Sequence, residues 1–389
     1  MAARAPLGQL SPAGFLQDYW QQQPLLIRQA LDPTTFSLSP DELAGLACET
    51  DIESRLILEK DGPQPWYLEN GPFDAERFAS LPDSHWTLLV QDVDKYIPQI
   101  AELLHQFRFI PDWRIDDVMI SYATNHGSVG PHVDNYDVFL LQTHGRRRWR
   151  INTQPVADDN FIPDIALHIL KQFDGEQEWL LEPGDMLYLP PGVAHHGIAE
   201  GECMTMSVGF RAPSYAQLIG SYADDYVESQ QSHRFYTDPG RDLPDHPAHL
   251  DSRSLAELRA ILRLESIPDT RLNEWLGCFL TEAKQHDAVL PLETPLSPDT
   301  IKQTLSQQPV LVRNPWARLI YTQQENQLNL FAAGHLLRLD PTLLDPVRWI
   351  CDHDVYALDN VTQWQQDTAF IQLLTDLINA GVILIDETD

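Results

Sequence analysis

Between residues 50 and 215 the chain breaks into short β-rich runs at close spacing, and this spacing restricts the fold more than any other feature. SRLILEK, HWTLLVQDV, DVMISYAT, YDVFLLQ, RRRWRIN, QEWLLEP, DMLYLP and CMTMSVGF are of strand length and rich in β-branched and aromatic residues. Gly, Pro, Asn and Asp separate them, with strong turn signals in EPGD at 182–185 and PPG at 190–192. Many short strands so spaced give a sandwich or a barrel. AELLHQFRF at 101–109 reads as a helix among them, and THG at 143–145 predicts a turn between YDVFLLQ and RRRWRI. Upstream, PAGFLQDYWQQQPLLIRQAL reads as a short helix leading into an apolar strand.

The period changes near RAPS at 211–214. Tyr215, Leu218, Ile219, Tyr222 and Tyr226 recur at helical spacing, and SLAELRAILRLESI and TRLNEWLGCFLTEAK continue it. A Pro-rich stretch, LPLETPLSPD at 290–299, looks like a linker. Beyond it, PVLVRN, ARLIYTQQ and QLNLFAAG alternate with the helical stretches DPTLLDPVRWICD and QDTAFIQLLTDLINAG. The expected class is α+β in three parts: a β domain over 1–214, a helical region over 215–290, and a winged-helix-like module over 291–389. The broad apolar stripes of the middle region suit packing against a second copy.

Composition narrows the function. Apolar residues make up 43% of the 389, enough for real cores, and no run is long enough for a membrane span. The N-terminus lacks the apolar segment of a signal peptide. Cys48, Cys203, Cys278 and Cys351 are scattered, which fits a reducing cytoplasm and argues against a zinc ribbon or a disulfide framework. The net charge of −31 repels nucleic acid phosphates and attracts cations, which serves solubility or a basic macromolecular partner. Direct nucleic-acid binding is not expected, even from the winged-helix-like module, which is poor in Lys and Arg.

The stretch GPHVDNYDVFLLQTHGRRRWR at 130–150 carries the chemistry. On a strand, His132 and Asp134 point to one face. A third ligand would complete the two-His, one-carboxylate set of non-haem Fe(II) oxygenases, which leaves metal positions open. EPGDMLYLPPGVAHHG at 182–197 delivers a second His-bearing segment, with His195 favoured over its neighbour His196. On the arginine-rich strand, Arg147, Trp149 and Ile151 share a face, and the company of Trp and Ile points that face inward. A buried Arg147 needs a partner. A dicarboxylate cosubstrate would supply one with bidentate geometry; an internal Asp or Glu is the other choice. Arg146, Arg148 and Arg150 are expected on a solvated basic face.

These segments, with FLQDYWQQQPLLIRQAL, IDDVMISYA and MSVGFRAPS, resemble the JmjC-type (cupin) 2-oxoglutarate oxygenases. Within them, the chain is similar to the bacterial ribosomal oxygenases that hydroxylate an arginine of large-subunit ribosomal protein sixteen, and the resemblance covers essentially the whole chain. It implies a double-stranded β-helix, a helical dimerisation region and a C-terminal winged helix. It also implies Fe(II), 2-oxoglutarate and O2 as cofactor and cosubstrates, with His132, Asp134 and His195 matching the iron ligands. Arg147 matches the residue that binds the distal carboxylate of 2-oxoglutarate, and Ser121 a cosubstrate-contacting position. The implied reaction is hydroxylation of an arginine β-carbon in a basic ribosomal protein, by a cytoplasmic homodimer. TNHGSVG, with Asn125 and His126, departs from the glycine-rich approach of close relatives. Other readings are a JmjC oxygenase with a different target (a histidine hydroxylase or a lysine demethylase), a cupin enzyme without 2-oxoglutarate, and a non-catalytic binding module.

Overall fold

In the computed structural model, described over residues 5–36, 38–60, 65–229, 269–306, 310–324, 327–356, 364 and 366–386, the chain divides into two compact units, Met1–Ala212 and Pro213–Asp389. The first unit is built on one antiparallel sheet. Its strands are β1 (Leu25–Ile27), β2 (Ser54–Glu59), β3 (Trp66–Asn70), β4 (Trp86–Val90), β5 (Ile115–Ala123), β6 (His132–Val133), β7 (Val138–Asn152), β8 (Gln177–Leu181), β9 (Met186–Leu189) and β10 (Ala194–Phe210). They run in the order β1-β9-β7-β10-β5-β4-β2-β3, with β6 joined to β10 and β8 to β7. Consecutive strands are rarely neighbours, so segments distant in sequence meet.

Strand alternation gives the sheet two different faces. Val118, Ile120, Phe139, Leu141, Met206, Val208 and Phe210 line one face, which packs on Phe15 of α1 (Pro12–Asp18) and on Ile100, Leu103 and Phe107. The other face is the interior, lined by Val138, Leu140, Trp149, Ile151, Leu181, Leu187, Leu189 and Val193. Buried polar side chains share it, among them Ser121, Gln142, Arg147, His195 and Thr205.

The turn expected at 143–145 is absent. VFLLQ and RRRWRI belong to the single strand β7, and the end of the second His-bearing segment, AHHG, runs on into CMTMSVGF as β10. The pairing steps from Gln142↔Thr205 to His144↔Met204, a bulge that leaves Thr143 over. Gly145 has φ +59°, and a Cβ there would meet the Glu202 carbonyl at 1.9 Å, so glycine is required where the strands crowd. The extra residue shifts the alternation by one. Leu140 and Gln142 therefore share the interior with Arg147, Trp149 and Ile151.

The helix expected at 101–109 is shorter and earlier, Pro98–Leu104, followed by a 3-10 turn. The expected basic face of Arg146, Arg148 and Arg150 is also corrected. Arg148 pairs with Glu200 and Glu178, Arg150 with Glu178 and Arg146 with Glu200, so glutamates from β8 and β10 neutralise it.

The second unit carries helices Tyr215–Ser229, Asp269–Thr281, Pro298–Leu305, Leu344–Asp352 and Thr368–Asn379. It has two three-stranded sheets. In one, Val310–Arg313 lies between Val355–Tyr356 and Ile383–Asp386; in the other, Gln327–Ala332 lies between Leu319–Gln324 and His335–Leu339. Ile301, Leu311, Leu328, Val347, Ile350, Phe370 and Leu374 form its core. The helix Asp269–Thr281 packs on the second sheet, with Gly277 leaving room for the Phe331 ring. The helical stretch expected at 254–267 lies outside the described residues. No helix among the described residues is long and apolar enough to cross a membrane.

Candidate metal centre and acid-binding pocket

β10 begins between β6 and β7, so that His195 stands opposite His132 on one side and Ile151 on the other. The PPG corner aims it: Gly192, at φ +84°, donates its N–H to the Asp134 carbonyl at 2.9 Å. His132, Asp134 and His195 thereby offer donor atoms that all lie within 4.8 Å of one another. Among the described residues this is the one such group of three.

The atoms left free suit a cation. The Nδ1–H groups of His132 and His195 donate hydrogen bonds to the carbonyls of Gly130 and Val193, at 2.9 and 3.0 Å. Each Nε2 lone pair then faces inward, an orientation typical of metal-ligating histidine. Asp134 Oδ2 is 3.6 Å from His195 Nε2 and 3.9 Å from His132 Nε2, beyond hydrogen bonding and within the span one shared ion bridges. Burial, then the neighbouring His132, pulls the His195 pKa down to about 4, so the ring is neutral at pH 7 and can ligate. Two imidazoles and one carboxylate are a donor set that iron(II) accepts.

His196 faces the other way, with its ring against the edge of Phe173. His126 is exposed and rests on His85, with ring centroids 5.1 Å apart, outside the three-residue group.

Arg147 is 2% exposed. Its Nη1 donates to Ser121 Oγ at 3.2 Å and its Nη2 reaches the Gly197 carbonyl at 3.5 Å, while Nε has no partner. No carboxylate pairs with it among the described residues, so the internal Asp or Glu considered above is not there. The Trp149 ring lies 5.2 Å from the guanidinium and 5.9 Å from the His195 ring, between the two sites. Burial lowers the Arg147 pKa, the signature of an uncompensated charge. An unpaired buried cation costs on the order of several kcal/mol, which an incoming carboxylate would offset. Gly197 makes the space: a Cβ there would meet Trp149 at 2.7 Å and Arg147 Nε at 2.8 Å.

Three neighbours went unnoticed in the sequence. Tyr136 is 43% exposed, and its partial desolvation, then the charges of Asp134 and Asp117, pushes its pKa up. Asp117 is buried on β5 and accepts from Gln91 Nε2 and from the Asp92 N–H. The third is Asp137, fully buried. The usable signal was parity: Tyr136 is two residues after Asp134, and Asp117 four before Ser121.

The comparisons with known proteins agree with this geometry. A JmjC domain profile matches residues 102–218 and a ROXA-like winged helix profile residues 257–383. The chain is 35% identical over 368 residues to the ribosomal protein uL16 3-hydroxylase of Escherichia coli, covering 94% of this chain and 95% of the relative. It is 24% identical over 72% of its length to a bifunctional lysine-specific demethylase and histidyl-hydroxylase of Culex quinquefasciatus, spanning 46% of that protein. The structure of the E. coli ribosomal oxygenase YcfD in complex with cobalt and 2-oxoglutarate superimposes with a TM-score of 0.82 at 33% identity, over 97% of this chain and 99% of that one.

Proposed function

The chain belongs to the JmjC-type ribosomal oxygenases, and from that membership we propose that it hydroxylates the β-carbon of an arginine in large-subunit ribosomal protein uL16. It is an Fe(II)- and 2-oxoglutarate-dependent dioxygenase. The observation that carries the reading is the pairing of three inward metal donors with a buried arginine that meets no carboxylate among the described residues.

His132, Asp134 and His195 would hold the iron. Arg147 and Ser121 would anchor the distal carboxylate of 2-oxoglutarate. Bound together, iron and 2-oxoglutarate would allow O2 to act as the oxidant, one oxygen atom going to the substrate and the other to succinate, with carbon dioxide released. The protein's own task is orientation and shielding. Trp149 and Gly197 shape the space between the two anchors. At the rim, the Tyr136 ring and the Asp117 carboxylate suit a guanidinium, which stacks on aromatic faces and binds carboxylates.

The partner is a basic ribosomal protein, met in the cytoplasm without direct nucleic-acid binding, and the acidic surface favours that encounter. The regions 1–214, 215–290 and 291–389 would serve as catalytic, dimerising and winged-helix parts. In support of a homodimer, Tyr215 (84% exposed), Ile219, Tyr226 and Val227 (71%) leave the helix Tyr215–Ser229 with an apolar surface suited to a second copy.

Incubating the protein with Fe(II), 2-oxoglutarate, oxygen and a set of ribosomal proteins tests the assignment. The expected result is one oxygen atom added to an arginine of uL16, dependent on 2-oxoglutarate. Oxygen on a histidine, or loss of a methyl group from lysine, would transfer the reading to the chemistry named for the 24% identical relative.

A further inference from the structure

Three residues beyond Asp134, the fully buried carboxylate of Asp137 takes no part in the donor set. It accepts hydrogen bonds from the Tyr188 hydroxyl at 2.6 Å, Gln21 Nε2 at 2.8 Å and Arg114 Nη2 at 3.2 Å. The Tyr188 hydroxyl in turn accepts from the Gln21 backbone N–H at 2.8 Å, and the Asp137 carbonyl accepts from the Phe210 N–H at 3.0 Å. Distant parts of the first unit therefore converge on one residue: the segment after α1, the residue before β5 and β9 on its carboxylate, and the end of β10 on its backbone carbonyl.

The turn between β6 and β7 explains why this matters. It is short, Asn135 is exposed, and Tyr136, 43% exposed, bonds through its hydroxyl to Asp134 within the turn itself, so neither ties the turn to the core. Asp134 is tied by its carbonyl to Gly192, and Asp137 is the next fixed point along the chain. Where Asp137 sits sets how far the Asp134 carboxylate reaches towards the two imidazoles. We propose that Asp137 is a positioning residue, which through Gln21, Arg114 and Tyr188 holds the Asp134 carboxylate in register with His132 and His195. This inference rests on the reading of those three residues as the metal ligands.

The test is cobalt(II) binding by calorimetry to the full-length wild type, Asp137→Asn and Tyr188→Phe, with KM values, kcat and Tm measured alongside. Outer partners of metal ligands typically change metal affinity by about 10- to 100-fold. Asp137→Asn is expected to weaken cobalt by that amount and raise the KM for Fe(II) in parallel. Its kcat at saturating Fe(II) and its KM for 2-oxoglutarate should stay within about twofold of wild type. Tyr188→Phe, which removes one of the three bonds, should show a smaller shift of the same kind. Unchanged cobalt affinity in Asp137→Asn, whatever happens to Tm, overturns the proposal. If that variant does not fold, unchanged affinity in Tyr188→Phe overturns it instead. A wild-type protein that binds no cobalt fails the metal-ligand reading itself, a result distinguishable from the other two.

Discussion

Asp134 and Arg147 have separable duties, and substitution should separate them. Asp134→Ala removes an acceptor at the rim of the donor set, so 2-oxoglutarate turnover should vanish while Tm moves little. Turnover that survives would exclude Asp134 as a ligand. Arg147→Ala should raise the KM for 2-oxoglutarate by a factor on the order of 30 to 5,000, the range for removing one partner of a buried charge pair. Cobalt affinity should hold; equal loss of both would give Arg147 a structural role. Gly197→Ala tests the space between the anchors. Its Cβ would sit 2.8 Å from Arg147 Nε and 2.7 Å from the Trp149 ring, so a stability loss of about 1–3 kcal/mol and a raised 2-oxoglutarate KM are expected. Wild-type behaviour would show that the pocket is looser than the packing indicates. At this scale the sequence was informative where one strand decides the matter. His132 and Asp134 share a face because they are two apart, and Arg147 shares one with Trp149. Asp137 was illegible, since its partner Gln21 lies 116 residues away and its meaning arises only on folding.

Elements were legible by type and less so by extent. The short β runs exist, but Gly145 makes a bulge rather than a turn, because a glycine at positive φ serves either and only the strand pairing decides. The basic face failed for a similar reason: Glu178 and Glu200 arrive from neighbouring strands. The EPGD turn joins β9 to β1 through Asp185. Burial opposes its charge, but the N–H groups of Glu182 and Gln29 and the Arg28 guanidinium outweigh that and hold its pKa below 3.8. A depressed carboxylate stabilises the fold above its unfolded pKa and loses that contribution as acid protonates it. Asp185→Asn should therefore cost about 1–2 kcal/mol at pH 7 in denaturant melts, with the gap to wild type constant down to about pH 5 and closing below about pH 4. A gap independent of pH throughout would assign the loss to packing.

At the scale of the molecule, charge and the apolar helix surface make different predictions. A net charge of −31 acting on a basic substrate should make kcat/KM for the protein substrate fall by about tenfold between low salt and ~0.5 M, with the KM for 2-oxoglutarate little changed. Salt-independent kcat/KM would leave the acidic surface as a matter of solubility. Tyr215→Glu with Ile219→Glu places charge on the helix surface left apolar, and the proposed homodimer predicts, in light scattering, a dimer for the wild type and a monomer for this variant. The change of period near residue 213 lies at the boundary of the two compact units, each of which buries its own core. The most direct measurement is isotopic: the protein with Fe(II), 2-oxoglutarate, uL16 and 18O2, with fragment masses of both products. The dioxygenase reading requires one 18O atom on the β-carbon of a uL16 arginine, one in succinate, and neither with Asp134→Ala. Succinate formed without label in the protein, or label drawn from water, would contradict it.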